Sequence, residues 1–129
     1  MDVVHEHEHG FSLVELVVVT LVIGILASIT LPQFLRQRDV ARQSTVEADL
    51  RNVAVQLESC RARDGAYPPP HVIADEVCDG VTATLSPQVT IEQTSVSGRL
   101  VGRHGGLVGR SVVYDRADGG LQAWTADGG

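Results

Sequence analysis

The stretch from residue 10 to residue 35, GFSLVELVVVTLVIGILASITLPQFL, constrains this chain most. Its middle, residues 16–31, carries no charge and consists mostly of Val, Leu and Ile. Read as a helix at about 1.5 Å per residue, the segment reaches roughly the 30 Å thickness of the hydrocarbon core of a bilayer. One carboxylate, Glu15, lies just inside its N-terminal end, although a charge costs roughly 2.5–3.5 kcal/mol near the centre of a membrane helix. We therefore predict a membrane-spanning helix whose acidic residue has a role beyond anchoring.

The start of this stretch resembles the processing site of type IV prepilins and pseudopilins through Gly10, Phe11 and Glu15. In that family a membrane aspartyl peptidase cuts after the glycine, and the new N-terminal residue is N-methylated. The resemblance implies cleavage between Gly10 and Phe11, methylation of Phe11, and a role for Glu15 in subunit assembly. It also implies helix-loosening residues at Gly24 and Pro32. These two residues are either a tolerated membrane kink or the part that unwinds when a subunit leaves the bilayer.

The function implied by the resemblance is that of a structural subunit of a type IV pilus or related fibre, and not that of an enzyme. Its expected partners are homologous pilin subunits, the prepilin peptidase and an assembly platform in the inner membrane, and no cofactor is expected. The expected location is the cytoplasmic membrane, crossed once with the C-terminal domain outside, and then a surface fibre. The alternatives are a pseudopilin of a type II secretion system, a DNA-uptake minor pilin, and a single-pass membrane-anchored binding domain. The C-terminal part lacks the Pro-Trp-Gly loop of major pseudopilins.

The predicted leader, residues 1–10, departs from the family pattern because it contains no Lys or Arg. By the positive-inside rule alone, the C-terminal domain would be cytoplasmic, since the first basic cluster follows the apolar segment. That cluster consists of Arg36, Arg38 and Arg42. We give the resemblance more weight and expect the opposite orientation. The three leader histidines, His5, His7 and His9, offer no preset geometry for a metal, and no metal site is predicted.

From residue 36 the chain turns polar without losing its helical period. Apolar residues recur at steps of three and four and define one face, with Val46, Leu50, Val53, Leu57 and either Cys60 or Arg61. Asp64-Gly65 supplies a stop, and three prolines from Pro68 forbid continuation. We predict one helix over residues 11–64, apolar all round in 11–35 and amphipathic in 36–64.

Cys60 and Cys78 are the only cysteines, and they bracket a Pro-rich connecting loop predicted over residues 65–81. If the domain lies outside the cytoplasm, the pair predicts a disulfide, worth on the order of 3 kcal/mol in the chain-entropy model. The alternative is two unpaired buried thiols. In the same segment, Tyr67 is predicted to cover the helix end.

Beyond Cys78 the apolar pattern changes to period two, which predicts strands over residues 82–85, 89–96, 110–116 and 120–125. We expect an antiparallel sheet of three or four strands in residues 82–129, packed on the apolar face of the helix in a two-layer α+β fold. The segment 98–109 is glycine-rich without a phosphate-binding motif, and we assign His104 within it to a solvated loop.

Four arginines make the C-terminal half locally basic: Arg99, Arg103, Arg110 and Arg116. Arginine binds phosphate well, so these residues raise DNA capture as a less favoured alternative. Solvation and protection of sheet edges is the more ordinary interpretation. The formal net charge of −6 also argues against general affinity for nucleic acid.

Overall fold

The computed structural model describes residues 10–127, so the predicted leader lies outside the described residues except for Gly10. The chain divides into two compact units, Met1–Gln37 and Arg38–Gly129. One helix, α1 (Leu13–Asp64), contributes residues to both units. Each unit is described by itself below.

In the first unit α1 is continuous, including through Gly24 and Pro32. This part of the helix extends over about 37 Å at 1.5 Å per residue, which is more than the hydrocarbon core of a bilayer requires. Its large apolar side chains are exposed on all sides, and α1 is the one helix among the described residues long and apolar enough to cross a membrane. The predicted helix is confirmed, and loosening at Gly24 and Pro32 stays a prediction.

In the second unit the predicted apolar face of α1 forms half of the hydrophobic core. It is completed by Cys60 and not by Arg61, which is exposed. The core side chains of the helix are Val46, Leu50, Val53, Ala54, Leu57 and Cys60. They pack with Ile73, Val77, Val89, Ile91, Leu100 and Val112. The α+β arrangement is therefore confirmed.

Eight strands follow the helix within residues 65–127, and every strand pair there is antiparallel. They are β1 (Val72–Ile73), β2 (Glu76–Cys78), β3 (Val81–Thr82), β4 (Val89–Gln93), β5 (Arg99–His104), β6 (Arg110–Asp115), β7 (Gly120–Leu121) and β8 (Thr125–Ala126). The main sheet has the order β1-β4-β5-β6-β7, and β8 also pairs with β6. Strands β2 and β3 pair separately. The main sheet thus has more strands than the predicted three or four. The additional strands are short, since the pairings of β1, β7 and β8 involve only two residues each.

The prediction missed β5, the central strand, because its sequence looked like a glycine-rich loop. Gly102 lies between Ile91 on β4 and Val112 on β6. A Cβ added at Gly102 would stand 2.6 Å from Cγ1 of Val46 on the helix. The glycine is therefore needed for close packing of helix on sheet and does not mark a turn.

Three smaller corrections follow from the same strands. The assignment of His104 to a solvated loop was wrong, since it ends β5, is half-buried, and accepts a hydrogen bond at Nδ1 from the Gly106 amide (2.9 Å). The segment 65–81, expected as a loop, contains β1 and β2, so the main sheet begins before residue 82. Asp49, which is not part of the apolar face predicted for the helix, is nevertheless buried and accepts hydrogen bonds from Ser86.

A disulfide joins Cys60 near the end of α1 to Cys78 on β2, as predicted. Tyr67 packs beside it on the helix end, because its hydroxyl donates to Glu58 and the Arg61 guanidinium lies 5.4 Å from its ring centre. The connecting segment is thus held to the helix by one covalent bond and one aromatic side chain.

Candidate functional site

The first turn of α1 contains a capping box that the sequence reading missed. Ser12 is the N-cap, and its Oγ accepts a hydrogen bond from the Val14 amide (3.3 Å). In return, Oε2 of Glu15 accepts one from the Ser12 amide (2.9 Å). Ser12-x-x-Glu15 is the sequence signature of this motif, so the spacing alone could have revealed it. Glu15 therefore lies at the positive end of the helix dipole and stabilises the start of its own helix.

Glu15 still has unused capacity for a partner. Within residues 10–127 only one of its two carboxylate oxygens receives a hydrogen bond, although an ionised carboxylate accepts several. The side chain is exposed in the isolated chain, as is Phe11 at 86 %. A positively charged group could therefore approach Glu15 without displacing the cap.

Glu15 is the only ionisable side chain of residues 13–35. The three hydroxyl side chains of this stretch satisfy themselves by donating to backbone carbonyls of the preceding turn: Thr20 to Val17, Ser28 to Ile25 and Thr30 to Leu26. Such back-bonding makes a hydroxyl compatible with an apolar environment. In lipid or among other apolar helices, Glu15 is then the one side chain of the stretch whose charge requires an outside partner.

Among the described residues, no packing contact requires a glycine at position 10. A Cβ added there would meet no atom within 4 Å, and its backbone is not left-handed. The residue next to Phe11 is thus free of packing constraint, as expected of a residue read by an enzyme and not by the fold. Its role in cleavage, like that of Glu15 in assembly, stays a prediction.

The described residues contain no cluster of side chains suited to a metal ion. No group of three or more His, Cys, Asp or Glu side chains within residues 10–127 could hold a metal ion. The leader histidines lie outside this range.

The four arginines proposed for DNA contact are already engaged within the chain. Arg99 bonds Asp115 at 2.7 Å, and this hydrogen bond holds the pKa of the Asp115 carboxyl below its usual value. Arg103 pairs with Glu92 and Asp127, Arg116 pairs with Glu58, and Arg110 lies 5.9 Å from the ring centre of Trp124. A phosphate would have to compete with each of these partners, so the geometry disfavours a nucleic-acid interface here.

Comparison with known proteins points to the same end of the chain. Residues 7–31 match the family described as the prokaryotic N-terminal methylation motif. Type II secretion system core protein G of Pseudomonas aeruginosa is 33 % identical over 61 residues, which is 47 % of this chain and 43 % of the relative. The protein of the same name from Klebsiella michiganensis is 30 % identical over 63 residues, or 49 % and 44 % of the two chains.

The chain therefore spans less than half the length of the curated relatives it matches. No solved structure matches it. The resemblance to prepilins and pseudopilins is confirmed by the methylation motif and by these relatives.

Proposed function

We propose that this protein is a structural subunit of a type IV pilus or related fibre. One observation carries the proposal: the methylation motif of residues 7–31 covers the start of a capped, continuous helix, and Glu15 is the only ionisable side chain in the apolar stretch of that helix, residues 13–35. A prepilin peptidase would remove residues 1–10. The helix would hold the subunit in the membrane before assembly and would lie among other subunit helices afterwards.

The alternative of a plain membrane anchor explains less of the sequence. An anchor needs neither a glycine at the unconstrained position 10 nor an acidic residue in its membrane segment. Cleavage after Gly10 would create an amine at Phe11, and the unused oxygen of Glu15 could accept from that amine on an adjacent subunit. A desolvated pair of this kind favours one axial offset between subunits over others.

A pseudopilin of a type II secretion system is the second candidate. The similarity to core protein G of two organisms favours it, whereas the missing Pro-Trp-Gly loop argues against a major pseudopilin. Deleting the gene separates the two candidates. Loss of surface fibres with normal protein export supports the pilus, and loss of export without loss of surface fibres supports the secretion system.

The disulfide supports a C-terminal domain outside the cytoplasm, because disulfides persist mainly in oxidising compartments. The proposed partners are accordingly homologous subunits, the prepilin peptidase and an assembly platform in the inner membrane.

Intact-mass analysis of membrane-purified and fibre-associated protein tests the proposal. We expect a chain that starts at Phe11 and is heavier by one methyl group. Gly10→Leu should block the cut, because a bulky side chain occupies the residue before the scissile bond, and the fold should tolerate it since position 10 is open. Residues 1–10 still attached in assembled material would contradict the fibre proposal.

A further inference from the structure

Two arginines that are close in sequence have no partner within the part of the chain that the structure describes. Eight of the ten arginines contact a carboxylate or an aromatic ring within residues 10–127. Arg36 and Arg38 form no ion pair or side-chain hydrogen bond with any described residue, and both are exposed. They lie directly after the apolar segment. In the proposed orientation this is the non-cytoplasmic side of the membrane, whereas the positive-inside rule favours basic residues on the cytoplasmic side.

Three carboxylates without an ion pair are also clustered. Asp75, Glu76 and Asp79 are exposed and form no ion pair within the described chain. They line an open cleft of about 560 Å³ at the C-terminal end of α1. A fourth carboxylate of the cleft, Asp64, is already held by both arms of Arg63 at 2.7 and 2.8 Å. The cleft is therefore left with uncompensated negative charge.

We propose that Arg36 and Arg38 of one subunit dock in the acidic cleft of an adjacent copy of this chain. The proposal rests on the proposed function, since it needs subunits that stack. The contact is inferred from complementary charge. In a fibre built from one kind of subunit, each copy contributes one arginine pair and one acidic cleft, so each pair can occupy a cleft.

Arg38 cannot reach the cleft of its own chain. Arg38 and Asp64 belong to the same unit and the same helix, and they are separated by about 40 Å at the helical rise of 1.5 Å per residue. That distance is several times the length of an arginine side chain. The contact is thus intermolecular, and it sets the displacement of the two copies along the helix axis at about 40 Å. The copy that offers the cleft is therefore a different neighbour from the one whose Phe11 amine meets Glu15, because those two residues are only about 6 Å apart along the chain at the helical rise.

The lining of the cleft suits arginine beyond its charge. Pro68, Pro69 and Val72 supply apolar surface, against which the aliphatic stem of an arginine packs while its guanidinium meets the carboxylates. Guanidinium binds carboxylates in a two-pronged geometry that selects orientation as well as distance. The contact therefore helps to fix the axial offset between subunits at a place far from Glu15.

A charge-exchange experiment in the full-length chain, expressed as the sole copy, tests the contact. Arg36→Glu with Arg38→Glu should lower the yield of sheared fibres at least about tenfold, since it sets acidic residues against acidic residues. Asp75→Arg with Asp79→Arg should do the same, and combining all four changes should restore most of the yield. Arg51→Glu is the matched control, because Arg51 is an exposed arginine of the same helix that already has a partner, Glu47, and it should assemble normally.

The milder pair Arg36→Gln with Arg38→Gln guards against misfolding, because both residues are exposed and make no internal contact in the described chain. It should insert, be trimmed and keep the Cys60–Cys78 disulfide, yet give a reduced fibre yield. Normal yield from the Gln or Glu pair would overturn the inference. Failure of the fourfold exchange to restore yield would also overturn it and would assign the arginines to another surface, such as lipid headgroups. Absence of fibres from the wild-type chain would instead overturn the proposed function.

Discussion

The absence of a Cβ atom at Gly102 allows the helix to pack closely against the sheet. The backbone of β5 approaches α1 so closely that a Cβ at this position would lie 2.6 Å from Val46 and 2.8 Å from Leu50. Both helix residues are fully buried, so neither side chain has free space into which it could move. The approach depends on three segments far apart in sequence, which is why the sequence presented Gly102 as part of a loop.

We expect Gly102→Ala to lower the free energy of unfolding by about 1–3 kcal/mol, because an overpacked core must shift backbone or rotamers. Gly105→Ala is the matched control, since its Cβ would make only an ordinary contact of 3.6 Å with Gln88 and its backbone is not left-handed. Thermal unfolding of the detergent-solubilised chain, followed by near-ultraviolet circular dichroism, measures both. Equal stability of the two variants would contradict the proposed close approach.

At the scale of elements, the helix could be predicted almost to the residue and the sheet only in part. Residues 11–64 have an unbroken helical period and a clear stop, and α1 spans Leu13–Asp64. Strand β4 alternates apolar and polar residues and was found, although it ends earlier than predicted, at Gln93; β6 was found as well. The strand predicted over 120–125 is instead two short strands, β7 and β8, and the strand predicted over 82–85 is wrong, because only Thr82 belongs to a strand, β3. Strand β1 was missed because it has two residues, from which no period can be read.

The hydrogen bonds of side chains could likewise be predicted only where both partners are close in sequence. The capping box of Ser12 and Glu15 is local and could have been read from its spacing. The burial of Asp49 could not, because its partner Ser86 lies 37 residues away. A polar residue on a helix is assigned to solvent unless a distant donor is known.

The disulfide is the element-scale feature with the largest expected energetic effect. It closes a loop of sequence separation 18, so replacing both cysteines with serine should lower the free energy of unfolding by about 3 kcal/mol. Urea unfolding of the detergent-solubilised chain measures the change. Reductant should destabilise the wild type and leave the double variant unaffected.

Peptide mapping without reductant provides the direct observation. A fragment joining Cys60 to Cys78 is expected from protein purified from outside the cytoplasm. Free thiols at both positions in that material would contradict the bond and would favour a cytoplasmic domain.

At the scale of the whole molecule, this chain offers an unusually clean probe of assembly because it contains no lysine. After cleavage following Gly10, the amine of Phe11 would be the one aliphatic amine of the mature subunit. Acylating reagents would then modify a single site. Protection of that site in fibres, compared with dispersed subunits, would report whether the amine is paired.

We expect Glu15→Ala, expressed as the sole copy, to insert and be trimmed but to lower fibre yield at least about tenfold, because a buried amine without its carboxylate is costly. Glu15→Gln separates the two roles of the side chain, since glutamine also serves in a capping box but carries no charge. We expect it to assemble as poorly as Glu15→Ala and to leave the Phe11 amine reactive. Normal yield from Glu15→Ala would show that this pair does not control assembly.

The disulfide also bears on how such a subunit withstands proteolysis. The segment directly after the helix, residues 65–66, is exposed and lies between the two bonded cysteines. A protease that cut there would add one water to the mass but release nothing, because Cys60 and Cys78 would still join the pieces. A nicked subunit would therefore keep its sheet attached to its helix, and a fibre of such subunits would tolerate a cut in this loop without losing material.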